Sequence, residues 1–236
     1  MSSPRRRRWL WWVTGAAAIV VVLAVGGPFV YIHFIEGGAA APLSLGTGAG
    51  ASTEPAEQAA SGPVAGTWRV AAGSQAGYRV KEVLLGQDNI AIGRTRSVTG
   101  TLTITGTTVT TGAFTVRMDT IRSDRSQRDA QFDGRIMDVA SYPTGTFRLT
   151  RPIRLAPVPA PGAVHRYQAT GSLTLHGHAR TVTFGLSAER TGAGIEVSGT
   201  IPVRFATWDI PNPSFGSFVT TQDHGELEFL LKLSRS

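Results

Sequence analysis

Gly171-Ser172-Leu173-Thr174-Leu175-His176-Gly177-His178-Ala179-Arg180-Thr181-Val182, continued by Thr183-Phe184-Gly185-Leu186, is the stretch on which the fold turns. Leu173 and Leu175 alternate with Ser172, Thr174 and His176. After Gly177, Val182, Phe184 and Leu186 alternate with Thr181, Thr183 and Gly185. A period of two puts alternate side chains on opposite faces, which is the mark of a half-buried strand. Two such runs around a glycine predict a turn between strands.

The same period recurs on both sides of this stretch. Leu102 and Ile104 alternate with threonines, Phe114, Val116 and Met118 with Thr115 and Arg117, and Phe147 and Leu149 with Thr146 and Arg148. Ile195, Val197, Ile201, Val203 and Phe205 hold one parity, as do Leu227, Phe229, Leu231 and Leu233. Gly106, Gly112, Gly162, Gly171 and the run from Thr191 to Gly194 punctuate them. With runs near Trp68 and residues 77–83, about eight or nine strands are expected, and short connections make neighbours antiparallel. The fold class is all-β. An antiparallel barrel of about eight strands and a two-sheet sandwich both satisfy the alternation. Residues 127–139 break it: Phe132, Ile136 and Val139 fall at helical spacing, Asp124 or Ser126 is available as N-cap, and Ser141-Tyr142-Pro143 stops the helix.

The N-terminal third reads differently. Residues 1–8 form a basic tail with Arg5, Arg6, Arg7 and Arg8, and residues 9–35 carry no charge until Glu36. That run is long enough to span a bilayer. The arginines before it keep the N-terminus cytoplasmic and send the rest of the chain outside, so a single-pass signal-anchor helix is expected. A cleaved signal peptide is the alternative, with Ala39-Ala40-Ala41 as its site. Residues 36–65, rich in Gly, Ala, Ser and Pro, are expected to be a flexible linker, and residues 66–236 the β-domain.

Of the 23 basic and 16 acidic residues, four arginines and three glutamates (Glu36, Glu54, Glu57) precede Gly66. The domain keeps 19 and 13, a surplus of about six. That suits anionic lipid head groups as a partner. No basic stripe with interleaved aromatics marks nucleic acid. The absence of cysteine removes disulfides and thiol chemistry. His176 and His178, two apart, could share a strand face for a metal, but Gly177 between them reads as a turn and no third ligand is near. No Gly-x-Ser-x-Gly elbow, phosphate loop or His-Glu-x-x-His occurs, so neither catalysis nor a cofactor is expected.

Four segments in order carry a resemblance. They are Gly66-Thr67-Trp68-Arg69-Val70 with Ser74 and the strand 77–83; Ser123 through Arg128-Asp129 leading to Ser141-Tyr142-Pro143 and Thr146-Phe147; the opening stretch 171–182; and the apolar strand 227–233. From Gly66 onward the chain resembles the YceI-like family of lipocalin-like, polyisoprenoid-binding extracytoplasmic proteins. It departs from the family pattern at Ala71, where an Asp is usual, in the residues before Tyr142-Pro143, in a Pro-rich insertion at 158–163, and in the N-terminal anchor.

The resemblance implies a barrel whose apolar interior holds an isoprenoid chain of quinone or polyprenyl type. The lining expected is Tyr78, Val80, Leu102, Phe114, Val116, Phe147, Leu149, Leu173, Leu175, Phe184, Leu186, Phe205 and Phe229. Arg125, Arg128 and His176 are the residues expected at a ligand head group, Arg because its fork matches phosphate. The charges Asp124, Arg125, Arg128 and Asp129 also read as capping and ion pairing. Small barrels can be filled by their own side chains. A scaffold domain with a filled core, docking on an envelope protein, is therefore the alternative function. The sequence does not fix the oligomeric state.

Overall fold

A computed structural model describes residues 39–46, 63–84, 86–156, 158, 160–192, 194–216 and 219–236. The expected tail and span at residues 1–35 lie outside these. Among the described residues no helix is long and apolar enough to cross a membrane.

The strands, in chain order, are β1 (Gly66–Val70), β2 (Gln75–Leu84), β3 (Gln87–Thr95), β4 (Val98–Thr105), β5 (Thr108–Arg117) and β6 (Arg122–Ser123), then, after a short helix α1 (Ser126–Gln131), β7 (Thr144–Leu149) and β8 (Ile153–Arg154). They continue with β9 (His165–Leu175), β10 (His178–Thr191), β11 (Gly194–Arg204), β12 (Val219–Thr221) and β13 (His224–Arg235). Eight of them, β1-β4-β5-β7-β9-β10-β11-β13, form a ring that the β1–β13 pairing closes. Ring pairings are antiparallel throughout. The chain therefore builds a barrel rather than a sandwich. β1 and β2 share one edge of β13: β1 pairs its C-terminal part at Leu233–Arg235, and β2 pairs Glu226–Leu230. From β2 the sheet runs on through β3 to β6, so one end of the barrel flares.

The period-two parities become inward and outward faces. In β9 and β10, Leu175 pairs with His178 and Leu173 with Arg180. The two residues between, His176 (φ 46) and Gly177 (φ 76), are both left-handed. This is the primed two-residue turn whose twist matches the flanking strands. A Cβ at Gly177 would also sit 2.6 Å from the Tyr142 ring.

The helix is shorter than the expected span. α1 gives way to a π-turn at Phe132–Ile136. Neither Asp124 nor Ser126 caps it. Arg125 holds the N-cap position without a side-chain cap bond. The carboxylate of Asp129 instead accepts from the backbone N–H (2.8 Å) and hydroxyl (2.6 Å) of Ser123, tying helix to β6. Phe132, buried, stacks on Tyr78 with centroids 5.1 Å apart.

Two stretches of the expected linker are ordered against the barrel. Val64 is buried and its carbonyl accepts from the Trp68 indole at 2.9 Å. Residues 39–46 form a strap on the outer wall. Leu43 is buried and its N–H donates to Glu228 Oε2 at 3.1 Å, while the Ala40 carbonyl accepts from Arg79 at 2.8 Å and the Ala41 carbonyl from Arg94. Glu228 and Leu230 have the outward parity of β13 yet are each only 1% exposed. Arg94 Nε meets Glu228 Oε1 at 2.7 Å and Arg79 approaches Oε2 at 3.8 Å. Gly77, between these two strands, makes the crossing possible. A Cβ there would lie 2.9 Å from Arg94 Cγ and 2.1 Å from the Gly93 carbonyl oxygen.

Burying a leucine side chain contributes about 2 kcal/mol. Leu43→Asp is therefore expected to lower the thermal midpoint by about 5 °C, at the few degrees per kcal/mol usual for this size. An unchanged melting curve would show that the strap adds no stability.

Candidate ligand-binding cavity

The inward parities do not meet at the barrel centre. They line a cavity of ≈ 750 Å³, within the range of small-molecule sites. All thirteen residues expected at the lining border it: Tyr78, Val80, Leu102, Phe114, Val116, Phe147, Leu149, Leu173, Leu175, Phe184, Leu186, Phe205 and Phe229. Phe184 sits edge-on to Phe147 (5.4 Å) and Phe229 (5.9 Å), an arrangement that favours aromatic contact. The interior is hollow, so the filled core of the scaffold alternative is not what the chain builds.

One end is closed by packed apolar residues, among them Ile104, Val109, Ile195 and Leu233. The other is the flared end, where α1 and the π-turn lie across it. The exposed residues of the lining, Gln127, Ala130, Gln131, Arg135, Phe215 and Glu226, all sit at this flared end. The cavity opens there.

Arg125 and Arg128 border the cavity beside this opening, as does Glu82. Arg128 Nη2 bonds Glu82 Oε1 at 3.0 Å and its Nη1 meets Asp124. Asn89 donates to the same Glu82 oxygen at 2.8 Å. The ion-pair reading of this charge group and its placement at the mouth therefore both hold in the geometry. Tyr78 borders the same corner. Burial pushes its phenol well above the ordinary range, with Arg128 acting the other way, so it stays neutral and a hydrogen-bond donor.

His176 does not border the cavity. The turn geometry that places it at positive φ sets its ring 4.6 Å from Tyr142, outside the barrel interior. Its alternation with Leu173 and Leu175 already set it on the parity opposite the lining. His178 lies across the turn, opposite Leu175. No group of three metal-ligating side chains occurs among the described residues.

Among the polar residues of the lining that sequence reading missed are Glu82 and Tyr167. Glu82 shares parity with Tyr78 and Val80, so the period-two count would have pointed it inward. Tyr167 shares parity with Ala169 and Leu173. Its hydroxyl is buried with no hydrogen-bond partner, and burial raises its pKa. Among mostly apolar neighbours it offers an interior point for a ligand's polar group.

A closed antiparallel barrel with a hollow apolar interior and a charged corner at its opening defines the lipocalin-like class. Within that class the chain belongs to the YceI-like domain family, whose model matches residues 68–233. The structure is similar to a polyisoprenoid-binding domain from Saccharophagus degradans implicated in plant cell wall breakdown. The two share 15% identity and a TM-score of 0.58, over 72% of this chain and 98% of that one. It is also similar to BcnA of Burkholderia cenocepacia, at 21% identity and TM-score 0.50 over 65% and 94%. At such identities the likeness speaks to the fold. No curated protein matches the chain.

Proposed function

We propose that this chain is a membrane-anchored, extracytoplasmic, non-catalytic barrel that carries an isoprenoid lipid in its interior. The observation that carries the reading is the ≈ 750 Å³ apolar cavity with its opening beside Arg125 and Arg128. Family membership and the polyisoprenoid-binding neighbour support the ligand class. Each buried CH₂ of a tail contributes about 0.8 kcal/mol, so binding energy comes from the chain and orientation from the polar corner. The apolar run at residues 9–35 supports a single span with the N-terminus cytoplasmic. Anchoring beside the bilayer raises the effective concentration of membrane lipid.

The test is to purify the full chain from its native membranes in mild detergent and extract it for mass spectrometry. An isoprenoid at near-stoichiometric level is expected. Finding none, together with no shift in melting temperature on adding a long-chain quinone, would remove the reading.

The polar corner separates head-group classes. Arg128→Ala is expected to weaken a polyprenyl phosphate by about tenfold or more, since a charge-assisted hydrogen bond is worth about 1.5–3 kcal/mol. Loading with a neutral quinone should hardly change. Equal losses for both ligands would show that Arg128 acts only by holding Glu82.

A further inference from the structure

We propose that the rim of the cavity opening is a membrane-seating surface: the ribbon made by the end of β2, β12 and Phe215 enters the headgroup boundary of the bilayer, so that the cavity opens onto lipid rather than water. The proposal rests on the anchored-carrier reading above.

Three large apolar side chains are markedly exposed among the described residues, and two of them, Phe215 (60%) and Val83 (38%), lie on this ribbon. The third, Val164, is at the closed end. β12 pairs with the end of β2, Thr220 opposite Val83 and Val219 opposite Leu84, and Phe215 bridges to Val219. Val83 therefore faces outward while Leu84, Val219 and Phe215 face inward and border the cavity. The inner face of the ribbon is apolar at Leu84, Val219 and Phe215, and Val83 adds an exposed apolar side chain on the outer face. Exposed apolar residues gathered beside a ligand opening mark an interaction surface, and an aromatic among them suits the lipid–water boundary. Two cations flank the ribbon. Lys81 is exposed on β2, and exposed Arg135 donates to the carbonyls of Asn212 (3.2 Å) and Pro213 (3.1 Å), next to Phe215. Asp88, opposite Val83, is the exposed acid on the hairpin.

The strap says which partner this surface meets. The expected span ends at residue 35 and the strap begins at 39, so four steps of chain, at most about 14 Å, separate bilayer from barrel wall. Without the strap, about 30 residues of linker would let the barrel roam. The strap crosses the wall at the level of Glu228, where Arg79 and Arg94 meet both its carbonyls and the Glu228 carboxylate. With a wall held this close to the bilayer, the exposed apolar side chains at the opening bring the ribbon rather than the closed end to the lipid.

The chain has no cysteine, so one introduced thiol gives one label. Thr220→Cys places a fluorophore on the ribbon and Thr107→Cys places one in the β4–β5 turn at the closed end. Each full-length variant is reconstituted into phosphatidylcholine–phosphatidylglycerol vesicles carrying a nitroxide lipid. Quenching is expected to be several-fold stronger at 220 than at 107, and to fall to the level at 107 when Phe215→Asp or, as a second variant, Val83→Asp is added. Equal quenching at the two positions in chain that resists alkaline carbonate extraction overturns this proposal and leaves the anchor standing. Chain that carbonate strips from the vesicles overturns the anchor and this proposal together. Neither outcome depends on whether the cavity holds an isoprenoid, which the extraction experiment reads separately.

Discussion

Glu228→Ala is expected to destabilise the barrel by about 3–5 kcal/mol, the cost of stranding buried charge by removing its partner. At the few degrees per kcal/mol typical of a domain this size, the thermal midpoint should fall on the order of 10 °C. The expectation follows from geometry. Glu228 is 1% exposed, its two oxygens are divided between Arg94 on one side and Arg79 with the Leu43 amide on the other, and no water-facing route remains for either. A double-mutant cycle with Arg94→Ala checks the cause. If the pair is the source, the double variant should lose less than the sum of the single ones. Additive losses would place the effect in packing instead. Protease cutting within residues 39–46, slow in the parent chain, should become fast in Glu228→Ala, because its carboxylate holds the middle of the strap.

The second large effect concerns cargo. Ala188→Trp projects an indole from β10 into the cavity between its closed end and the phenylalanines. Displacing one five-carbon unit of an isoprenoid tail forgoes about 4 kcal/mol of burial. Lipid loading is therefore expected to fall by about a thousandfold. The barrel should still fold, since the added ring enters space the parent leaves open. Thr181→Trp, on the exposed face of the same strand, serves as the control and should load as the parent does. Loss of lipid in both variants, or in neither, would argue that the cargo does not occupy this chamber. Competition between quinone and polyprenyl phosphate in the parent then tells which end of the ligand seeks Arg128.

Much of this was legible along the chain. Leu173, Leu175, Phe184 and Leu186 declare their face through a period of two, and each such run forms a strand, although Met118 and Phe205 at the ends of theirs turn into short 3-10 helices. Ring closure was not, because it depends on β1 and β2 taking successive parts of one edge of β13, a pairing between residues about 150 positions apart or more. The hollowness was not legible either. Alternation says which side chains point inward, and the diameter of the ring decides whether they meet. His176 was misplaced against its own alternation, which sets it with Ser172 and Thr174 on the parity opposite the lining, and the structure puts it in the turn after β9. Leu43 went unseen for the opposite reason: a lone leucine among Ala, Pro, Ser and Gly has no period at all, and its partner Glu228 looks like an ordinary solvent-facing charge until the outer wall is covered.

The strap has a mechanical meaning as well. Tension arriving from the N-terminal side would reach the carbonyls of Ala40 and Ala41 and the amide of Leu43 before it reached β1. These contacts lie one after another between residues 40 and 43, so they would peel singly. β1 is held by two ladders at once, to β4 and to β13, and would have to shear them together. A pull on the tether would thus be taken up first by unfastening the strap, while the walls of the cavity stayed shut.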